Sequence, residues 1–184
     1  MASNTVILIW LFPVAFILHD LEELLFFEPW LKKNAGVVRE RVGQKLPAFL
    51  DRQLENVLKK TTAQFAIPIV LIFILTVVSS YIAAKLGNYS FFLMAGSLFF
   101  MHGFIHIGQV ILMRRYIPVL ITSIIIVIPY GIIVFWNLLA ARLTTLPWLL
   151  GYFIIALIIA IPFILIMHII GESLEKTIRK LATR

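Results

Sequence analysis

The chain has 184 residues, 61% of them hydrophobic, and its mean hydropathy of +1.02 is that of a protein built for a bilayer. With no cysteine, disulfides, thiolate metal sites and cysteine nucleophiles are excluded. The net charge of +7 is accounted for by basic loops beside anionic lipid, and no nucleic-acid partner is expected.

Apolar runs long enough to cross a hydrocarbon core of about 30 Å recur five times. The first, about 5–27, follows a start without the basic region of a secretory signal and reads as a retained span. A polar link, 28–62, comes next. Within it Leu50, Leu54, Val57 and Leu58 recur at helical spacing after Pro47, which predicts a short amphipathic helix in the interface, suited to anchoring or to a lid. Spans at about 63–85, 89–112, 118–140 and 147–170 follow with short links, so consecutive spans are expected to be antiparallel neighbours. Pro13, Pro68, Pro129 and Pro162 fall inside spans and should kink or loosen them. The expected architecture is an all-α, polytopic membrane helical bundle of five transmembrane helices plus the interfacial helix, one membrane domain over 1–184.

Orientation follows from lysine and arginine. The first link carries Lys32, Lys33, Arg39, Arg41, Lys45, Arg52, Lys59 and Lys60. Arg114 and Arg115 follow the third span, and Lys176, Arg179, Lys180 and Arg184 the fifth; the opposite side has Lys85 and Arg142. In a cell membrane this places the N-terminus outside and the C-terminus in the cytoplasm.

All four histidines lie within spans: His19, His102, His106 and His168. Spans one, three and five run in the same direction, and each histidine precedes its basic end by two or three turns, so all four share one depth in the inner-leaflet half. Residues at i, i+3 and i+4 share a helix face. His19, Glu22 and Glu23 therefore form one patch, His102, His106 and Gln109 a second, and His168 with Glu172 a third. Asp20 points about 60° from Glu23 on the wheel and is expected to be an outer or interfacial group. Thr122, Ser123 and Gln64 start their spans at the same depth and are candidate pocket residues.

A charged residue at mid-membrane costs about 2.5–3.5 kcal/mol on insertion scales. No lysine or arginine lies in that half of the spans to neutralise Asp20, Glu22 and Glu23. The candidate counter-charge is a bound metal, protonated histidine or a proton on the carboxylates; metal is preferred, because imidazole with carboxylate is the donor set of zinc and of non-haem iron or manganese. The candidate metal ligands are His19, Glu22, Glu23, His102, His106, His168 and Glu172. Zinc is the expected ion, with iron, singly or as a pair, the alternative.

"HDLEE", His19 to Glu23, in the first span of a small five-span chain resembles the signature of the HXXEE family of small bacterial integral membrane proteins, the match being His19, Glu22 and Glu23. The resemblance extends over nearly the whole chain and implies an enzyme without fixing its reaction. A comparison with intramembrane CAAX-type proteases fails, since Phe27 stands where their motif needs arginine and five spans are too few.

Three reactions fit the polar cluster. In a metal-dependent hydrolase acting on a lipid or other amphiphile, Glu22 or Glu23 would take the proton of a metal-activated water, and Gln109 would steady the oxyanion. A di-iron hydroxylase or desaturase ranks second. A proton- or ion-coupled permease ranks third, because the histidines occupy one level instead of lining a path and no inverted repeat is visible.

Overall fold

A computed structural model describes residues 3–41, 48–59 and 61–182; Pro47, Lys45, Lys60 and Arg184 lie outside the described residues. The elements are α1 (Ser3–Arg41), α2 (Ala48–Leu58), α3 (Thr62–Leu86), α4 (Ser90–Met113), α5 (Leu120–Thr122), a π-helical segment (Ser123–Val127), α6 (Ile128–Ala140) and α7 (Leu146–Ala182). Among the described residues there is no strand, and five helices are long and apolar enough to cross a membrane. The chain is a multi-pass membrane protein with an all-α bundle fold.

Two helices run well past their predicted ends. α1 continues through Pro29 to Arg41, so its 39 residues extend roughly 58 Å, about twice a hydrocarbon core. The predicted link from residue 28 is thus helical for its first part. The extension persists because it finds packing: Leu31 and Val38, two turns apart, are buried with Leu58 of α2, Phe65 of α3 and Met113 of α4. α7 likewise runs on to Ala182, beyond the expected end near 170.

The amphipathic helix forms where its periodicity placed it, as α2. Its Leu58 is buried, Leu54 and Val57 are half-buried, and Asp51 and Arg52 face outward. It is pinned to the α1 extension by a bidentate ion pair, Arg39 Nε and Nη2 donating to Glu55 at 2.6 and 2.8 Å. α3 begins under two side chains: Glu28 of α1 accepts from the backbone N–H and hydroxyl of Thr62, and Gln64 Oε1 accepts from the Thr61 N–H.

The fourth span is broken. α4 ends at Arg114 in left-handed conformation, and Val119, fully buried, starts α5 at φ 78°. A positive φ is strained for a β-branched residue. The helix then widens by one residue per turn, the Ile128 N–H reaching back to the Ser123 carbonyl. Pro129 explains the position: it has no N–H to donate one turn back, and its ring crowds that carbonyl.

The main core lies on the opposite side of that break from α2, where Ile9, Phe12 and Phe16 of α1 pack with Phe92 and Phe99 of α4 and Val134, Phe135 and Leu138 of α6. α1 packs on α3, while α7 packs on both α3 and α4. α4 and α6 approach closely at a glycine: a Cβ on Gly131 would lie 2.2 Å from Phe100 Cδ2. At Gly103 it would lie 2.9 Å from Val127 Cγ1. These contacts set the depth at which α4 meets the π segment, and with it the position of the α4 histidines.

Gly131→Ala should therefore destabilise the bundle by about 1–3 kcal/mol, the usual cost of overpacking, read as a lowered unfolding midpoint in detergent. A second expectation concerns pH. The Arg39 guanidinium holds the Glu55 carboxyl below its ordinary value of 4.5, chiefly by hydrogen bonding and further by its charge. A depressed carboxylate contributes stability that is fully present above 4.5 and is lost as pH falls through the lowered value. Hydrogen exchange in residues 48–58 should accelerate on acidification through that range. Arg39→Gln should give the fast rate at neutral pH and remove the pH dependence.

Candidate metal centre

Helix spacing puts His102 and His106 one turn apart on the inner face of α4, and α1 brings His19 against them. One ring nitrogen from each of the three lies within 4.8 Å of the other two. His19 is fully buried, His106 nearly so and His102 half-buried. Phe99 closes one side, its ring edge-on to His19 at a centroid distance of 5.7 Å.

The hydrogen bonds assign the tautomers. Thr122 Oγ1 donates to Glu22 Oε2 at 2.7 Å, and His19 Nδ1 stands 2.8 Å from the same hydroxyl oxygen. With the hydroxyl proton committed to a carboxylate, His19 Nδ1 must carry a hydrogen and donate it. Its other nitrogen, Nε2, keeps a lone pair, and that atom is buried with no hydrogen-bond partner among the described residues. His106 follows the same logic: Nδ1 donates to Gln109 Oε1 at 3.1 Å, leaving Nε2 as acceptor. That Nε2 is 2.7 Å from His102 Nε2, which is therefore the donor of the pair. His19 thus keeps a lone pair and His106 gives its own to His102, each of the two rings being oriented by an acceptor behind it, as metal-binding histidines are.

Glu23 completes the ring of donors. Its Oε2 lies 3.9 Å from the Nε2 of both His102 and His106, too far for a hydrogen bond. Zinc bonds nitrogen at about 2.0–2.1 Å, so one ion spans donors up to about 4 Å apart, and the three imidazoles, whose nitrogens lie within 4.8 Å of one another, would draw together to hold it. His102 would have to move its proton from Nε2 to Nδ1 on binding.

The remaining candidates take other places. Glu22, expected as a ligand or base, is engaged elsewhere: it accepts from the Thr122 N–H at 3.1 Å, the Thr122 hydroxyl and the Tyr116 hydroxyl at 3.0 Å. Gln109, expected to steady an oxyanion, instead orients His106. His168 stands on the wall of an adjoining cavity with Glu23 and His102, apart from the three-histidine group. Glu172 lies a turn beyond it, half-buried and outside the cavity lining. Gln64 bonds Glu175 of α7 at 3.2 Å instead of lining the cavity.

Asp20, expected as an outer or interfacial group, is buried and faces the cavity, with Oδ2 unpartnered among the described residues. The cavity between α1, α3, α4 and α7 lies to one side of the histidines and takes in both Asp20 and Glu23 in spite of their separation on the wheel. Ser123 is fully buried, its hydroxyl donating to the Val119 carbonyl at 2.6 Å. Tyr116 is the residue the sequence did not flag. It stands in the link between α4 and α5, where burial first and Glu22 second push its hydroxyl above the ordinary value of 10.

Nitrogen-15 spectra of histidine-labelled, metal-free protein should show Nδ1–H forms for His19 and His106 and an Nε2–H form for His102. Thr122→Val should abolish the fixed tautomer of His19 and leave His106 unchanged, whereas Thr122→Ser should preserve both. A His19 signal indifferent to Thr122→Val would refute the assignment.

The family model described as "Protein of unknown function with HXXEE motif" matches residues 10–134, a stretch that contains His19, Glu22, Glu23, His102, His106 and Thr122 and ends before His168 and Glu172. No curated protein and no solved structure matches the chain. The match spans well over half the sequence, and the chain belongs to the HXXEE family.

Proposed function

We propose that this protein is an integral-membrane metal-dependent hydrolase that cleaves a lipid or other amphiphile, with a single zinc ion held by His19, His102 and His106 and with Glu23 beside it. The observation that carries the metal is the orphaned lone pair on His19 Nε2, which sits in a fully buried ring beside two other imidazoles. Leaving a buried polar atom unsatisfied costs about 1–3 kcal/mol, and a cation removes that cost. Bound zinc lowers the pKa of a coordinated water towards neutrality and polarises the scissile carbonyl.

The protein's own groups supply the rest. Glu23 is the carboxylate beside His102 and His106, and its role is to accept the water proton. In hydrolysis the water oxygen bonds to the acyl carbon, the bond to the leaving oxygen or nitrogen breaks, and the proton held by Glu23 passes to that leaving atom. Glu22 acts behind the site, fixing His19 through Thr122. A dinuclear centre has less support, because Glu22, the second carboxylate of the motif, has its oxygens committed to Thr122 and Tyr116.

The distribution of lysine and arginine supports a cell-membrane orientation with the N-terminus outside. The reacting group would then be presented from the cytoplasmic leaflet.

The test is metal content after purification without chelator, coupled to a screen of ester and amide amphiphiles. Wild-type protein should hold about one zinc per chain, and His102→Ala and His106→Ala should each lose both metal and activity. Glu23→Gln should abolish turnover. Thr122→Val should weaken zinc binding about 10–100-fold, the usual effect of removing a group that orients a ligand. Asn137→Ala should spare everything, since Asn137 pairs with Thr5 at the far end of the bundle, its Oδ1 accepting at 2.9 Å. Protein free of tightly bound metal would overturn the proposal.

A further inference from the structure

The cavity beside the histidines has a shape that specifies its occupant. It occupies about 250 Å³ between α1, α3, α4 and α7. Its lining on α1 runs from Phe12 to Glu23, on α4 from Phe91 to His102 and on α3 from Phe65 to Thr76. At 1.5 Å per residue each of these stretches covers roughly 16 Å, so the space is a slot along the bundle axis.

The two ends differ in chemistry. Asp20, Glu23, His102 and His168 stand at the end nearest the candidate metal centre. Away from it the walls are phenylalanine, leucine, isoleucine, methionine and alanine, and they run as far as Phe91 and Ile159. The one polar residue there, Thr76, has its hydroxyl spent on the Phe73 carbonyl at 2.7 Å. A dry, apolar slot with one polar end fits a ligand that is apolar along its length and polar at one terminus.

We infer that the slot holds the tail of a single-chain acyl amphiphile, of about a dozen carbons at C–C bonds of about 1.5 Å, with its carbonyl head at the polar end beside His102 and its methyl end near Phe91 and Ile159. The position of the head rests on the hydrolase reading; the tail site does not. Because the slot lies to one side of the histidines, the group presented to them is a terminal acyl carbonyl, and the leaving group departs on the opposite side. Ala95 of α4 and Ala160 of α7, both small and both on the wall, keep the slot open and limit chain length.

Full-length protein in nanodiscs can be photolabelled with two dodecanoic acid probes, one with a diazirine at the methyl end and one with it beside the carboxylate. The methyl-end probe should insert into residues 72–76, 91–95 and 159–164, and the carboxylate-end probe near His102 and His168. Ala95→Phe and Ala160→Leu should each lose the methyl-end labelling while keeping the zinc content of wild type. Labelling confined to outward-facing positions such as Ile111, Ile125 and Ile154 would overturn the inference. So would labelling that persists undiminished in both variants. The two readings separate cleanly: slot labelling of protein that holds no zinc sinks the hydrolase and keeps the tail site, and a zinc protein that labels only its outer surface does the reverse.

Discussion

The carboxylate of Glu22 holds the rest of the site in place. An ionised acid inside a span is costly, yet this one receives a backbone N–H and a hydroxyl from Thr122 and a second hydroxyl from Tyr116. Its partners all lie where the fourth span breaks, so Glu22 acts as a cap for a helix other than its own. The N–H at Thr122 belongs to the first turn of α5, whose donors have no intrahelical acceptor and whose dipole favours negative charge. The strained backbone at Val119 is tolerated because that turn is tied down from outside. Glu28 does the same one and a half turns on, capping the start of α3 through Thr62. The first helix thus uses two acids to register two other helices against itself.

This explains how one short motif can serve both architecture and chemistry. His19 reaches Glu22 through a single threonine hydroxyl, so the group that fixes the helix break also fixes the imidazole. Moving the fourth span would unseat His19, and losing Glu22 would release both. On α4 the register is set by the close approaches at Gly103 and Gly131, so His102 and His106 meet His19 by backbone packing instead of by chance rotamers.

Much of this was legible in the sequence. Five apolar runs, the amphipathic spacing of Leu54, Val57 and Leu58, and the common depth of the histidines each follow from a helix period and a bilayer thickness. What stayed hidden depended on partners. The extension of α1 past Phe27 looked like a polar link, because nothing local says that Leu31 and Val38 will be buried by α2, α3 and α4. Thr122 was flagged by depth, but its role between Glu22 and His19 exists only once spans one and four touch. Tyr116, in a link, carried no signal at all. Spacing could not separate Glu22 from Glu23: they are adjacent, and only their partners divide them into a cap and a group beside the imidazoles.

The remaining imbalance bears on the chemistry. Glu22 accepts from three donors, whereas Glu23 has two imidazole nitrogens at 3.9 Å, and Asp20 and His19 each keep a buried polar atom without a partner among the described residues. In the neutral tautomers the ring hydrogens of His19 and His106 are spent on Thr122 and Gln109, and that of His102 on His106. An added proton or the proposed cation would each bring positive charge to the side facing Glu23. A divalent cation there would accept the lone pairs of His19 and His106, draw Glu23 inward, and free His102 from its hydrogen bond to become a third nitrogen donor. The same step would turn a set of groups that now compete for hydrogens into one that shares an ion, whereas a proton, held by one residue at a time, would leave the others as they are.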